Sequence, residues 1–135
     1  MIIGRNDGPE KAGPSGLRSA TCTGDVWSDI VFNSGGARAI SIFFPPGGRN
    51  HWHTHEGGQF VHVLSGEGWI QERGSERVTV RAGDMIWTEP GVEHWHGATD
   101  SSLTFQVAVH FGEVEWKEPV QDWEYQGSHD ENNGG

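Results

Sequence analysis

The chain has 135 residues, 33% of them hydrophobic, with 21 glycines and seven tryptophans, which is enough for one turn-rich domain with a lean core. Nine Lys and Arg against 19 Asp and Glu give a formal charge of −10, which argues against a nucleic-acid partner because phosphate would be repelled. No apolar run approaches the ~20 residues of a membrane span, Met1–Gly16 lacks the apolar centre of a signal peptide, and the single Cys22 excludes an internal disulfide, so the reading is a cytoplasmic protein with no membrane partner.

Residues 1–20 carry Gly4, Gly8, Pro9, Gly13, Pro14 and Gly16 without any period, and read as a flexible N-terminal arm. Thr21–Val26 and Ile30–Phe32 read as the first strands, with Cys22 as a small half-buried residue. Ala37–Phe44 is clearer: Ile40, Ile42 and Phe44 share one face, and Pro45-Pro46-Gly47-Gly48 ends the run. A histidine strand follows, then a strand over Gln59–Ser65. Gly66-Glu67-Gly68 reads as a turn, with Trp69–Glu72 pairing back. Arg77–Val80, Met85–Thr88 and a last long strand over Ser101–His110 complete the pattern, separated by Gly74-Ser75, Gly83-Asp84 and Pro90-Gly91. No long helix is expected. Many short strands between regular turns predict an all-β antiparallel barrel or sandwich. Trp52, Trp87 and Trp95 are assigned to the core. Glu113–Tyr125 is acidic but spends Trp116, Trp123 and Tyr125, so it is expected to dock on the barrel or on a second subunit. The domain is thus residues 21–125, and 126–135, with His129, read as a disordered tail.

Gly47–Gly66 holds four of the eight histidines: His51, His53, His55 and His62. His53 and His55 lie two apart, so on an extended strand both imidazoles point to the same side and can reach one ion. Gln59 follows after Gly57-Gly58, which lets the chain bend back. His94-Trp95-His96 offers a third imidazole. Three imidazoles and a carboxamide, without a thiolate, suit a divalent Mn, Fe, Co, Ni, Zn or Cu ion. By strand parity His96 faces the same cavity as His94, His62 alternates away from Gln59, and His51 belongs to the rim.

The spacing is more specific than any one pair. Gly47, five residues, His53-x-His55, three residues, Gln59, six residues and Gly66 resembles the first motif of the cupin superfamily, with Gln59 in place of the usual Glu. Gly83, Gly91 and His94 keep the spacing of the second motif, with Glu89 where that motif has Pro. The strings GGRNHWHTHEGGQ, GWIQERG and AGDMIWTEPGVEHWHGAT, and the trailing Trp116, look like the small single-domain cupins of the carboxymuconolactone-decarboxylase-associated type, which include manganese-dependent bacterial hydroxynitrile lyases. The resemblance implies a double-stranded β-helix, or jelly-roll, barrel. It implies His53, His55, Gln59 and His94 as metal ligands, manganese as the metal, and His96 as the catalytic histidine beside it. It also exposes a departure: the lyase pattern has a further histidine where this chain has Gln106. His110, on the same strand face, is the second catalytic candidate.

The expected function is a metal-dependent lyase of a small hydroxylated substrate, by hydroxynitrile-lyase-like C–C cleavage or by decarboxylation. A metal-dependent dioxygenase of a diketone or enol, and a non-catalytic small-molecule-binding barrel, are the alternatives. A homodimer is expected, with the terminal arms covering barrel edges.

Overall fold

The computed structural model describes residues 1–4 and 16–127; most of the N-terminal arm and the tail with His129 lie outside the described residues. The elements run β1 (Gly16–Leu17), β2 (Cys22–Thr23), β3 (Trp27–Ser34), β4 (Ala37–Phe44), β5 (Arg49–Asn50), β6 (His53–His55), β7 (Gln59–Glu72), β8 (Val78–Arg81), β9 (Met85–Thr88), β10 (His94–Ala98), β11 (Thr104–Phe111), β12 (Val114–Trp116) and a single-turn helix α1 (Asp122–Tyr125). Every strand pairing is antiparallel.

One long strand joins two sheets. The first half of β7 pairs with β11 and β9, and its second half pairs with β10 and β8. The first sheet therefore reads β1-β3-β4-β11-β7-β9, and the second β8-β7-β10-β5-β2, with β6 between β10 and β12. The two sheets face each other as a jelly-roll barrel. This corrects the turn expected at Gly66-Glu67-Gly68. The chain does not reverse there; it crosses from one sheet to the other. Gly66 has φ +76°, and a Cβ on it would lie 1.8 Å from the carbonyl oxygen of Leu103. Its glycine is required by the close approach of β11, whose register slips between Phe105 and Gln106 at this level.

Alternation along the strands fills the barrel. Val26, Ile42, Phe44, Val61, Ala98 and Ala108 form the main apolar cluster between the sheets, and Val63, Ile70 and Val80 form a second. The inward face of β4 continues past Ile40 to Arg38, which lies opposite His110 of β11. A third cluster lies outside the barrel. Trp52, Trp95, Val120 and Tyr125 pack together, the Tyr125 hydroxyl donates to the Ala98 carbonyl at 2.6 Å, and the buried Arg49 donates to the Val120 carbonyl at 2.8 Å. Arg73 lies over the Trp52 ring and bonds Glu93, Glu118 and Glu124. The chain from β12 to α1 is thereby held to the outer face of the second sheet. Trp87, assigned to the core from sequence, is 48% exposed. It sits on β9, which pairs only with β7 among the described strands, with its ring turned outward next to Phe111.

Candidate metal centre

The lean apolar content has a local cause: one end of the barrel is filled with polar side chains. His53, His55, Gln59, His94, His96 and Gln106 are each at most 3% exposed. Burying so many polar groups is costly unless each finds a partner.

The strands set the geometry. His53 on β6 lies directly opposite His94 on β10, and opposite Trp116 on β12. His55, two residues on, projects to the same side. The Pro90-Gly91 turn is tied to this strand, because the Gly91 N–H donates to the His55 carbonyl at 3.0 Å. Gly58, at φ +89°, turns the chain into β7 where a Cβ would lie 2.6 Å from the Trp87 ring. Gln59 thus enters the barrel opposite His110.

Ring nitrogens of His53, His55 and His94 all lie within 4.8 Å of one another. Two ligands of one ion at ~2.1 Å each are at most about 4.2 Å apart, so a shift of about 0.6 Å closes the group on an ion. The hydrogen bonds point the same way. His53 Nδ1 lies 2.7 Å from the His51 carbonyl, and His94 Nδ1 lies 3.0 Å from the Val92 carbonyl. A carbonyl only accepts, so both Nδ1 atoms carry the proton and both Nε2 atoms are bare lone pairs. His94 Nε2 faces Gln59 Oε1 at 2.9 Å. Two lone pairs repel at that distance. A cation held against both removes the repulsion; without an ion, turning the carboxamide to donate its NH2 does the same. His55 is buried with both ring nitrogens lacking any hydrogen-bond partner, an arrangement an ion would relieve. These residues fit a divalent metal.

Burial keeps the cluster neutral. Desolvation lowers the pKa of His53 well below its ordinary value, helped by the neighbouring His94, His96 and His55. Desolvation, then His110 and His94, pushes His55 down to about 2, and desolvation lowers His94 as well. Neutral imidazole is the form that binds metal.

His96 is held differently. Its backbone N–H donates to Asn50 Oδ1 at 2.9 Å, and its Nδ1 lies 2.9 Å from Gln106 Oε1. The carboxamide is oriented by a chain of bonds. The Thr104 hydroxyl donates to the Ser65 carbonyl at 3.0 Å, leaving its oxygen to accept from Gln106 Nε2 at 3.4 Å. Gln106 therefore presents its oxygen to His96, the His96 proton sits on Nδ1, and Nε2 is bare. That Nε2 is buried without a partner, the ring is 5.9 Å from the His53 ring between centroids, and desolvation pushes its pKa down to about 3. His110 stacks on His55 at 4.6 Å and is lowered by burial, then by Arg38.

His53, His55, Gln59, His96 and His110 line one cavity of about 380 Å³, together with Phe44, Trp116 and the apolar side chains of β3 and β4. His51 and His62 are not among its lining residues. His51 contributes its carbonyl rather than its ring.

The sequence from 41 to 111 matches the cupin domain family. The chain is a cupin. It is 36% identical over 110 aligned residues to the (R)-mandelonitrile lyase of Granulicella tundricola, covering 76% of this cupin and 84% of that enzyme. A solved cupin-like protein of Thermotoga maritima superposes with a TM-score of 0.80 at 31% identity, covering 93% of this chain and all of that one. The polyketide cyclase RemF of Streptomyces resistomycificus shares the barrel at a TM-score of 0.60, over 75% of this chain and 76% of that one; its 16% identity speaks for the fold alone. This cupin carries a three-histidine group suited to a divalent metal ion.

Three residues of the cavity escaped the sequence reading. Asn50, before the histidine strand, carried no signal. Trp116, whose ring lies 4.6 Å from that of His53, carried none beyond the resemblance. Arg38 did carry one: it shares the parity of Ile40, Ile42 and Phe44, which puts a cation on the core face of a strand.

Proposed function

We propose that this cupin is a metal-dependent lyase that cleaves a C–C bond in a small hydroxylated substrate, with His53, His55, Gln59 and His94 holding the ion. The observation that carries the reading is His96. Its ring is fixed by Gln106 with a bare Nε2, in the wall of the cavity that His53 and His55 of the three-histidine group also line. The likeness to a mandelonitrile lyase supports the choice of reaction. A divalent ion among four neutral ligands keeps its full charge and acts as a Lewis acid toward a substrate hydroxyl; manganese is proposed, on the resemblance to manganese-dependent hydroxynitrile lyases.

The chain's own residues do the rest. For a cyanohydrin, His96 Nε2 accepts the hydroxyl proton as the C–O bond becomes a carbonyl and the C–CN electron pair leaves with cyanide. The proton then passes from His96 to cyanide, giving aldehyde and hydrogen cyanide and restoring neutral His96. Gln106 accepts from Nδ1–H throughout and stabilises the transient imidazolium. Phe44, packed edge-on against His96 at 5.6 Å between centroids, limits water around the ring. His110, stacked on His55 with a buried Nδ1 that has no hydrogen-bond partner among the described residues, is the second catalytic candidate in the cavity.

The test is cyanide release from mandelonitrile by the manganese-loaded protein. Release that falls by about 10²-fold or more in His96→Ala, with metal retained, supports the reading. Oxygen uptake with a diketone by the iron-loaded protein, without cyanide release, contradicts it and favours a dioxygenase. We also propose a homodimer, since the outer face of the edge strand β9 exposes Met85 and Trp87 beside Phe111; sedimentation velocity checks it.

A further inference from the structure

The charge of the cavity opposes the charge of the chain. The protein carries −10, yet no Asp or Glu is among the described residues lining the cavity, while Arg18 and Arg38 both are. The histidines and Gln59 add no negative charge. A cavity with low-dielectric walls and only positive side chains focuses a field that draws anions and repels cations.

Arg38 is the cation with work to spare. Arg18 is already engaged, with Nε donating to Ser28 Oγ at 2.7 Å and a terminal nitrogen donating to the Ser28 carbonyl at 3.2 Å. Arg38 is half-buried and makes no hydrogen bond or ion pair among the described residues. A guanidinium offers five donors in a planar fork that matches a carboxylate, and leaving it unpaired in a half-buried site is unfavourable. Its place is also informative. It lies opposite His110 in the β4–β11 register, His110 stacks on His55, and His55 belongs to the three-histidine group. Val26, Ile30, Ile40 and Ile42 line the same cavity. The cavity thus offers a metal-binding group, an apolar wall, and a free cation one histidine beyond the group.

We propose that the substrate taken by this cavity is a small carboxylate with an apolar body, its carboxylate held by Arg38 and its reacting oxygen at the three-histidine group. The inference rests on the reading of that group as the reaction centre, and it makes Arg38 a specificity-determining residue. The neutral nitrile in the name of the related lyase would leave Arg38 unpaired.

The test compares 3-phenylpropionate with 3-phenylpropionamide, which share a shape and differ in charge, by titration calorimetry on the metal-loaded full chain at low salt. The acid is expected to bind about tenfold or more tightly than the amide, as a charge-assisted pair requires. In Arg38→Met the ratio should fall toward unity, Arg38→Lys should keep part of it, and Arg18→Met should lower it less. Added salt should erode it. A ratio unchanged in Arg38→Met overturns the proposal, because the carboxylate is then held elsewhere. Equal binding of acid and amide by the wild type, or no binding of either, overturns it too. Failure of the lyase reading is a separate result: it appears as missing cyanide release with the Arg38-dependent ratio intact.

Discussion

Replacing Gln106 by Leu tests how this site controls a proton. The side chain is fully buried, and its Oε1 is the sole partner of His96 Nδ1 at 2.9 Å. Leu keeps the volume but leaves that N–H unpaired. An unsatisfied buried donor costs about 1–3 kcal/mol. His96 escapes the cost by moving its proton to Nε2, and the same energy sets how far the tautomers shift. At 1.36 kcal/mol per decade, the fraction with a bare Nε2 falls by roughly 5- to 150-fold. With Nε2 as the proposed base, the rate of cyanide release should fall in the same range, with metal content unchanged. Ring ¹⁵N shifts of His96 in a diamagnetic, zinc-loaded sample report the tautomer directly. Thr104→Val should act the same way more weakly, since it only removes the acceptor that orients Gln106. If His96 keeps its proton on Nδ1 in Gln106→Leu, and the rate is unaltered, the chain of bonds from Ser65 to His96 does not set the base and the reasoning fails.

Metal-free protein should lose stability in acid: His96 and His55 have folded pKa values lowered to about 3 and about 2, so below their unfolded value near 6.5 the unfolded state binds more protons, and each contributes a loss of about 1.4 kcal/mol per pH unit as pH falls toward the folded values. Urea unfolding of chelator-treated protein from about pH 7 down to about pH 5 checks this, and a flat profile contradicts it. Tyr125→Phe removes the buried bond to the Ala98 carbonyl and should cost about 1–2 kcal/mol in the same assay, while cyanide release persists. Gly66→Ala should cost about 4 kcal/mol or more, because a Cβ there meets the Leu103 carbonyl at 1.8 Å on a positive-φ backbone; a loss under about 1 kcal/mol would mean that β7 does not cross between the sheets where described.

Period-two alternation made most strands legible: Ala37–Phe44 and Met85–Thr88 appear with the bounds read from sequence. The crossing in β7 was not legible, because glycines at 66 and 68 mark a close backbone approach as readily as a turn, and only the position of Leu103 separates the two. Trp87 misled for a related reason. β9 is an edge strand, and one of its faces has nothing to pack against among the described residues. In the site, motif spacing pointed to His53, His55 and His94 because their chain positions alone encode one face and one turn. The role of Gln106 could not be read that way. It sits on β11 and His96 on β10, strands of different sheets, so their contact exists only once the barrel closes. What looked in sequence like a missing histidine is, in the barrel, the partner that fixes the one beside it. Arg38 stood on an apolar strand face where parity could have exposed it, but its lack of a carboxylate partner among the described residues is a property of the folded cavity.

The most direct measurement is elemental analysis of protein purified without a tag, before and after His55→Ala. A single divalent ion per chain, manganese, that is lost in the variant is the expected result. Metal-free wild-type protein that cannot be loaded, or a metal content that survives His55→Ala, would contradict the three-histidine group as the centre of this cupin.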